Sequence, residues 1–118
     1  MNWMETPQLR LLERYLDVSA MRQSLVSSNL ANVDTPGYQT RDLVFRGELQ
    51  RALEGAGWNE TSPLVVPVRG LIERPDGNNV SVDRETLLLS EVQLKFRIAT
   101  QILKAEFAQL RTAIHEGG

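Results

Sequence analysis

Two long stretches without helix breakers bound what this chain can fold into. After Thr6-Pro7 neither proline nor glycine recurs before Pro36, and from Ser81 to Glu116 there is none at all. Thr6 suits an N-cap and Pro7 the first helical position, so a helix of about 26 residues, roughly 39 Å long, is predicted to end at Asn32. Ser81 suits a second N-cap. Asp83 and Glu85 then fall near the first turn, where carboxylates favour the helix dipole. This final helix is predicted to run to about His115, roughly 50 Å at about 1.5 Å per residue.

Both patterns are apolar over too wide an arc for a simple pair. In the first, Leu9, Leu12, Leu16, Val26 and Leu30 form one stripe. Leu11, Val18, Met21 and Leu25 form another, roughly 140° away at about 100° per residue. In the second, Leu89, Val92, Phe96, Ala99, Leu103, Phe107, Leu110 and Ile114 line up, and so do Leu87, Leu94, Ile98, Ile102 and Ala105. Gln93, Arg97, Thr100 and Lys104 occupy the face that remains. A helix buried against one partner needs an apolar face of about 100°. Pairing the two helices therefore hides one stripe of each and leaves the other wet. Leu9, Leu12, Leu16, Leu25, Val92, Phe96, Ile98, Ile102, Leu103 and Leu110 are the expected helix-packing positions, within the subunit or against neighbours. About seven large side chains at about 1.5–3 kcal/mol each represent on the order of 10 kcal/mol of uncovered burial. The pattern predicts a mainly α fold: two long terminal helices pairing as a coiled coil, with a short helix and a short extended segment between them. On spacing alone, a closed helical dimer or tetramer would cover the leftover stripes.

Between the helices the chain is punctuated. Residues 28–38 read S-N-L-A-N-V-D-T-P-G-Y. Asn32 suits a helix C-terminus through its tolerance of the left-handed conformation. Pro36-Gly37 are the central pair of a type II turn, and Tyr38 can pack its ring while its hydroxyl stays bonded. Asp42 is the expected cap of a short helix running to about Leu53, with Phe45, Leu49 and Leu53 on one face, Gly47 weakening it by about 1 kcal/mol and Gly55 closing it. Residues 55–63 read as loop. Residues 64–72 read as one or two extended pieces, edge-like because of Pro67 and Gly70. Residues 74–79, R-P-D-G-N-N, read as a turn or exposed loop. The chain thus divides at 1–35, 36–80 and 81–118.

Composition removes several functions. The 118 residues suit one domain, and 42% hydrophobic with 24% charged residues are ordinary for a globular protein. Thirteen basic residues are scattered among fifteen acidic ones for a net charge of −2, which argues against nucleic acid as a partner. Cysteine is absent, so disulfides and thiolate metal sites are excluded. The N-terminus has no basic and apolar pattern of a cleavable signal, and no apolar run approaches membrane-spanning length. His115 is the only histidine and lies at a helix end, where a cation is favourable without any catalytic or metal role. Glu85, Glu91 and Glu106 interleave with Lys and Arg and read as surface charge. Gly55-Ala56-Gly57 and Asp76-Gly77 lack phosphate-loop spacing. Trp3 and Trp58 read as packing or interface anchors. No cofactor, metal or small-molecule substrate is expected, and an enzyme is disfavoured.

The residues from Ser28 to Tyr38 carry a resemblance as well as a shape. Ser28, Asn29, Leu30, Ala31, Asn32, Thr35, Pro36, Gly37 and Tyr38 match the S-N-[IL]-A-N-x-x-T-P-G-Y signature of the axial proteins of the bacterial flagellum, the rod and hook family. The continuation Q-T-R-D-L-V-F, with Arg41, Asp42 and Phe45, and the block D-G-N-N-V-S-V-D-R-E at 76–85 are similar to the proximal rod branch, the FlgB family. The abbreviated middle, residues 55–74, departs from that branch. The other short proximal rod family differs only in these two blocks. The resemblance implies a structural subunit of the basal-body rod whose terminal helices polymerise into a helical tube. The signature corner would lie between subunits, anchored by Leu30, Val33 and Tyr38, with Asn29 and Asn32 satisfying groups opened by the helix end. Implied partners are further copies of itself, other rod proteins, the membrane-ring adaptor and the export apparatus. The implied location is the periplasmic rod, reached through the flagellum's own channel without a cleavable signal. The alternative is a soluble coiled-coil adaptor forming a closed homo-oligomer.

Overall fold

In the computed structural model, residues 6–53 and 64–117 are described; Trp3, Trp58 and the 55–57 glycine pair lie outside them. The elements are α1 (Pro7–Ala31), β1 (Arg41–Leu43), α2 (Phe45–Leu53), β2 (Val65–Pro67) and α3 (Val82–Gly117). Both long helices begin as their capping residues dictate. The Thr6 hydroxyl accepts from Leu9 N at 3.1 Å, and the Ser81 hydroxyl accepts from Arg84 N at 3.2 Å. At the end of α1, Asn32 caps without the left-handed conformation, at φ −104° and ψ 18°. It bonds the helix end instead: its side-chain amide donates to Ser28 O at 2.8 Å. That bond satisfies one of the carbonyls a helix C-terminus leaves open, so no left-handed residue is needed there.

The long helices pair antiparallel. Asn29 near the end of α1 meets Glu85 near the start of α3, while Leu12 and Tyr15 share a groove with Lys95, Ile98, Ala99 and Ile102. Extending this register places Pro7 level with about Phe107. Residues 108–117 then run on for about 15 Å beyond the described start of α1. The result is a rod-shaped molecule of 67 × 26 × 18 Å. Its radius of gyration of 18.1 Å exceeds the roughly 13–14 Å of a compact chain this long.

The middle segment serves α1. β1 and β2 form an antiparallel pair in which Arg41 faces Pro67, Asp42 faces Val66 and Leu43 faces Val65. Pro67 loses no ladder bond, because Arg41 directs both its backbone groups to the side chain of Asn29. Asp42 does not cap α2. It lies in β1, buried, and the first helical bond of α2 runs from Glu48 N to Val44 O. Its carboxylate is taken by two arginines and by Leu43 N, which leaves none for the helix start. α2 docks on α1 through an edge-to-face pair of Tyr15 and Phe45, 5.4 Å between ring centres, and through Arg14, 2.7 Å from the buried Glu48.

These contacts decide which stripes are covered. Leu9, Val18 and Val26 of α1, Leu43, Val80, and Val92 and Ala99 of α3 form the apolar core. Val18, on the second stripe of α1, is fully buried, and Leu11 and Leu25 are half-buried. Among the described elements α3 packs only against α1, apart from an ion pair from Arg84 to Asp42. Its second stripe is accordingly bare: Leu87 is 61% exposed, Leu94 57%, Ile98 49% and Ile102 45%. The sequence pattern predicted wet stripes on both helices. The bare stripe is concentrated on α3, because α1 also receives α2 and β1.

Candidate functional site

The corner after α1 is built by short-range chemistry. Tyr38 N donates to Thr35 O at 3.2 Å across Pro36-Gly37, and Gly37 has φ 75°, a region that glycine enters without strain. The turn exposes Thr35, Pro36 and Gly37.

A second turn from far along the chain grips it. Gly37 N donates to Asp76 O at 2.8 Å, and Gly77 at φ 83° comes so near that a Cβ there would lie 3.3 Å from Gly37 Cα. Asn78, fully buried, donates to both Asn32 O and Thr35 O at 2.8 Å, and its oxygen accepts from Val80 N at 2.8 Å. Asn79 accepts from Thr40 N at 2.7 Å and donates to Gln39. The Arg74 guanidinium reaches the carbonyls of Val80 and Val33. Residues 74–79 therefore do not form an exposed loop. They are a clasp whose amides replace water at carbonyls that the end of α1 and its turn leave open.

Beneath the corner lies a buried polar knot. Asn29 uses its whole amide: it donates to Arg41 O at 2.9 Å and to Glu85 at 3.0 Å, and it accepts from the Tyr38 hydroxyl at 2.9 Å and from Arg41 N at 3.2 Å. Glu85 has no exposed surface, and its other oxygen accepts from Arg84 at 2.6 Å. Arg84 continues to Asp42 at 3.1 Å, and Asp42 holds Arg22 of α1 through two further bonds at 3.0 and 3.1 Å. The Arg22 guanidinium also lies 5.8 Å from the centre of the Phe45 ring. Four charges from α1, β1 and α3 thus neutralise one another where a lone buried charge would be costly. Glu85 is not a surface charge, as its interleaving with arginine and lysine predicted. Burial of Tyr15 pushes its hydroxyl above the ordinary tyrosine pKa, and nearby Arg22 partly offsets this.

Of the residues singled out from sequence, Asn29, Asn32, Tyr38, Arg41, Asp42 and Phe45 converge on this joint. Ser28 lies beside the Tyr38 hydroxyl at 3.5 Å, Leu30 is half-buried and Ala31 is exposed. Leu9 and Val92 are buried, Leu12, Leu16, Leu25, Leu103 and Leu110 are half-buried, and Phe96, Ile98 and Ile102 are exposed. His115 is exposed, and among the described residues no cluster of His, Asp and Glu could hold a metal. No described helix is long and apolar enough to cross a membrane. Sequence reasoning gave no such role to Arg22, Arg74, Asn78, Asn79 and Arg84, the last three of which lie in the 76–85 block; each acts on groups 20 to 46 positions away. The one signal available was the N-N pair after Asp76-Gly77, two side chains able to bond backbone.

The fold is thus an antiparallel pair of long terminal helices joined through this corner and clasp. Residues 18–39 match the family model described as flagella basal body rod protein. The chain is 35% identical to the flagellar basal body rod protein FlgB of Borrelia hermsii over 125 residues, covering 88% of this chain and 93% of the relative. It is 29% identical to FlgB of Yersinia ruckeri and 28% identical to FlgB of Escherichia coli K12, covering 92% of this chain and 94% of each relative. The chain belongs to the FlgB family of flagellar basal body rod proteins. It is a structural component of the rod, not an enzyme.

Proposed function

We propose that this subunit builds the proximal part of the rod by polymerising through its terminal helices, and that it links the membrane ring and export apparatus to the rest of the rod. The observation that carries this is the bare stripe of Leu87, Leu94, Ile98 and Ile102 along α3. Burying such a stripe against neighbours stabilises an assembly by about 1.5–3 kcal/mol for each large side chain, before ordering costs. An open helical array needs unlike surfaces to meet. The two long helices differ in what they leave uncovered, as such an array requires.

In this reading residues 1–35 and 81–118 form the rod core, and residues 36–80 carry the corner towards neighbouring subunits. Ser28, Ala31, Thr35, Pro36 and Gly37 present the outward surface of the corner. Asn29, Asn32, Tyr38, Arg41, Asp42 and Phe45 hold it in shape from behind, with Leu30 packed beneath. The working location is the periplasmic rod, reached through the flagellar export channel. The partners are this chain, other rod proteins, the ring adaptor and export components. No nucleic acid or small-molecule substrate takes part.

The test is the double substitution Ile98→Glu and Ile102→Glu in a strain lacking the native gene. The expected outcome is loss of swimming with the protein made at normal levels and its helix content unchanged. Normal swimming would contradict the reading.

A further inference from the structure

The scatter of charge in the sequence resolves on α3 into an ordered line. Arg97, Lys104 and Arg111 recur every seventh residue, so they share one face over roughly 21 Å. All three are exposed, and no carboxylate among the described residues pairs with any of them. Arg97 and Lys104 line one side of a groove of about 510 Å³, with Phe96 of α3 and Gln23 of α1 also lining it. No ion pair among the described residues neutralises this line, although the chain as a whole carries net charge −2.

The matching charge lies on α1. Glu13 and Asp17, one turn apart, are exposed and likewise form no ion pair among the described residues. The antiparallel register fixes their height relative to α3. Asp17 is level with about Arg97, and Glu13 lies about 4–5 Å from the level of Lys104. Two copies side by side, displaced by about one helical turn along the long axis, bring Glu13 level with Lys104 and set Asp17 between Lys104 and Arg97. Arg10, the cation on the same face of α1, moves past Lys104 towards Glu106 with that displacement. A level arrangement would instead oppose Arg10 to Lys104, so charge favours the displaced one.

We propose that Arg97 and Lys104 of α3 dock against Glu13 and Asp17 of α1 on a second copy of this chain, as a heterologous lateral contact with an axial step. The inference rests on the rod reading but names surfaces that reading leaves open. The contact is self-complementary only between different faces, so it propagates instead of closing. Exposed ion pairs of this kind are individually weak and screened by salt. They set register and partner choice, while the apolar stripe of α3 provides most of the burial.

The experiment exchanges charge between faces. One variant carries Arg97→Glu and Lys104→Glu, the other Glu13→Lys and Asp17→Lys. All four residues are exposed, and circular dichroism checks that each variant keeps its helix content. Self-association is measured by sedimentation at low and high salt. Each variant alone is expected to associate at least tenfold more weakly than the unaltered chain at low salt, and an equimolar mixture of the two is expected to recover association. Unaltered chains that do not associate, reversal without effect, loss without recovery on mixing, or association indifferent to salt would each overturn the proposal. Swimming of a deletion strain carrying the unaltered gene reads the rod assignment separately. If that gene restores swimming and the charge-reversed genes do so equally well, the lateral contact falls and the rod assignment stands.

Discussion

The side-chain amide of Asn29 donates to Glu85 at 3.0 Å across 56 positions of sequence, and both groups are shut off from solvent. That bond fixes the start of α3 against the end of α1, and with it the register of the whole helical pair. Because Asn29 also closes the backbone groups of Arg41, one residue ties both long helices to β1.

Replacing Asn29 tests this directly. Asn29→Ala removes four hydrogen bonds and leaves a buried carboxylate oxygen and two backbone groups unsatisfied. It is expected to cost about 2–4 kcal/mol of stability, measured by urea denaturation. Asn29→Asp keeps the acceptor for Tyr38 and Arg41 but sets a carboxylate against Glu85. It is expected to cost at least as much, which a purely steric role for Asn29 would not produce.

Glu85 is the second half of the relationship. Glu85→Gln keeps an acceptor for Asn29 and loses the charge facing Arg84, whereas Glu85→Ala loses both. Because Arg84 retains Asp42, the alanine variant is expected to fall near the lower end of the roughly 3–5 kcal/mol for a broken buried pair. The glutamine variant should retain at least half of that loss. Equal melting temperatures for Glu85→Ala and the unaltered protein would show that the knot contributes nothing.

Gly77 and Gly37 separate backbone strain from crowding. Both have positive φ, but only a Cβ at Gly77 meets another backbone, at 3.3 Å. Gly37→Ala is expected to cost about 1–2 kcal/mol from conformation alone. Gly77→Ala is expected to cost more and to loosen the clasp, seen as faster hydrogen exchange at Gly37 N and Asn79 N.

Stability is expected to decline at alkaline pH through Tyr15. Its folded pKa is raised above 10.0, so the native state holds the proton more tightly than the unfolded chain does. The contribution is complete below about pH 10 and is lost as pH rises through the folded pKa. Melting temperature against pH should therefore bend downwards above pH 10 in the unaltered protein and bend less in Tyr15→Phe.

What was legible in the sequence was local. Thr6, Pro7, Ser81 and Gly37 act on neighbours within four positions, so helix starts and the tight turn could be read directly. The α3 stripes were legible because periodicity is independent of partners. The burial of Glu85 and Asn78 was not, since each is made buried by groups 40 to 60 positions away, and in isolation both residues read as surface. Asp42 misled for a related reason. It has the chemistry of a cap, but two arginines from distant helices had a stronger claim on its carboxylate.

The central claim is that the outer face of α3 is bare in the subunit and covered in the rod. Because the chain has no cysteine, a single Ile102→Cys substitution makes that face a unique thiol. Its rate of maleimide labelling should be close to that of a free thiol in the purified subunit and fall at least tenfold in isolated basal bodies. Protection already present in the dilute subunit, or undiminished labelling in the basal body, would contradict it.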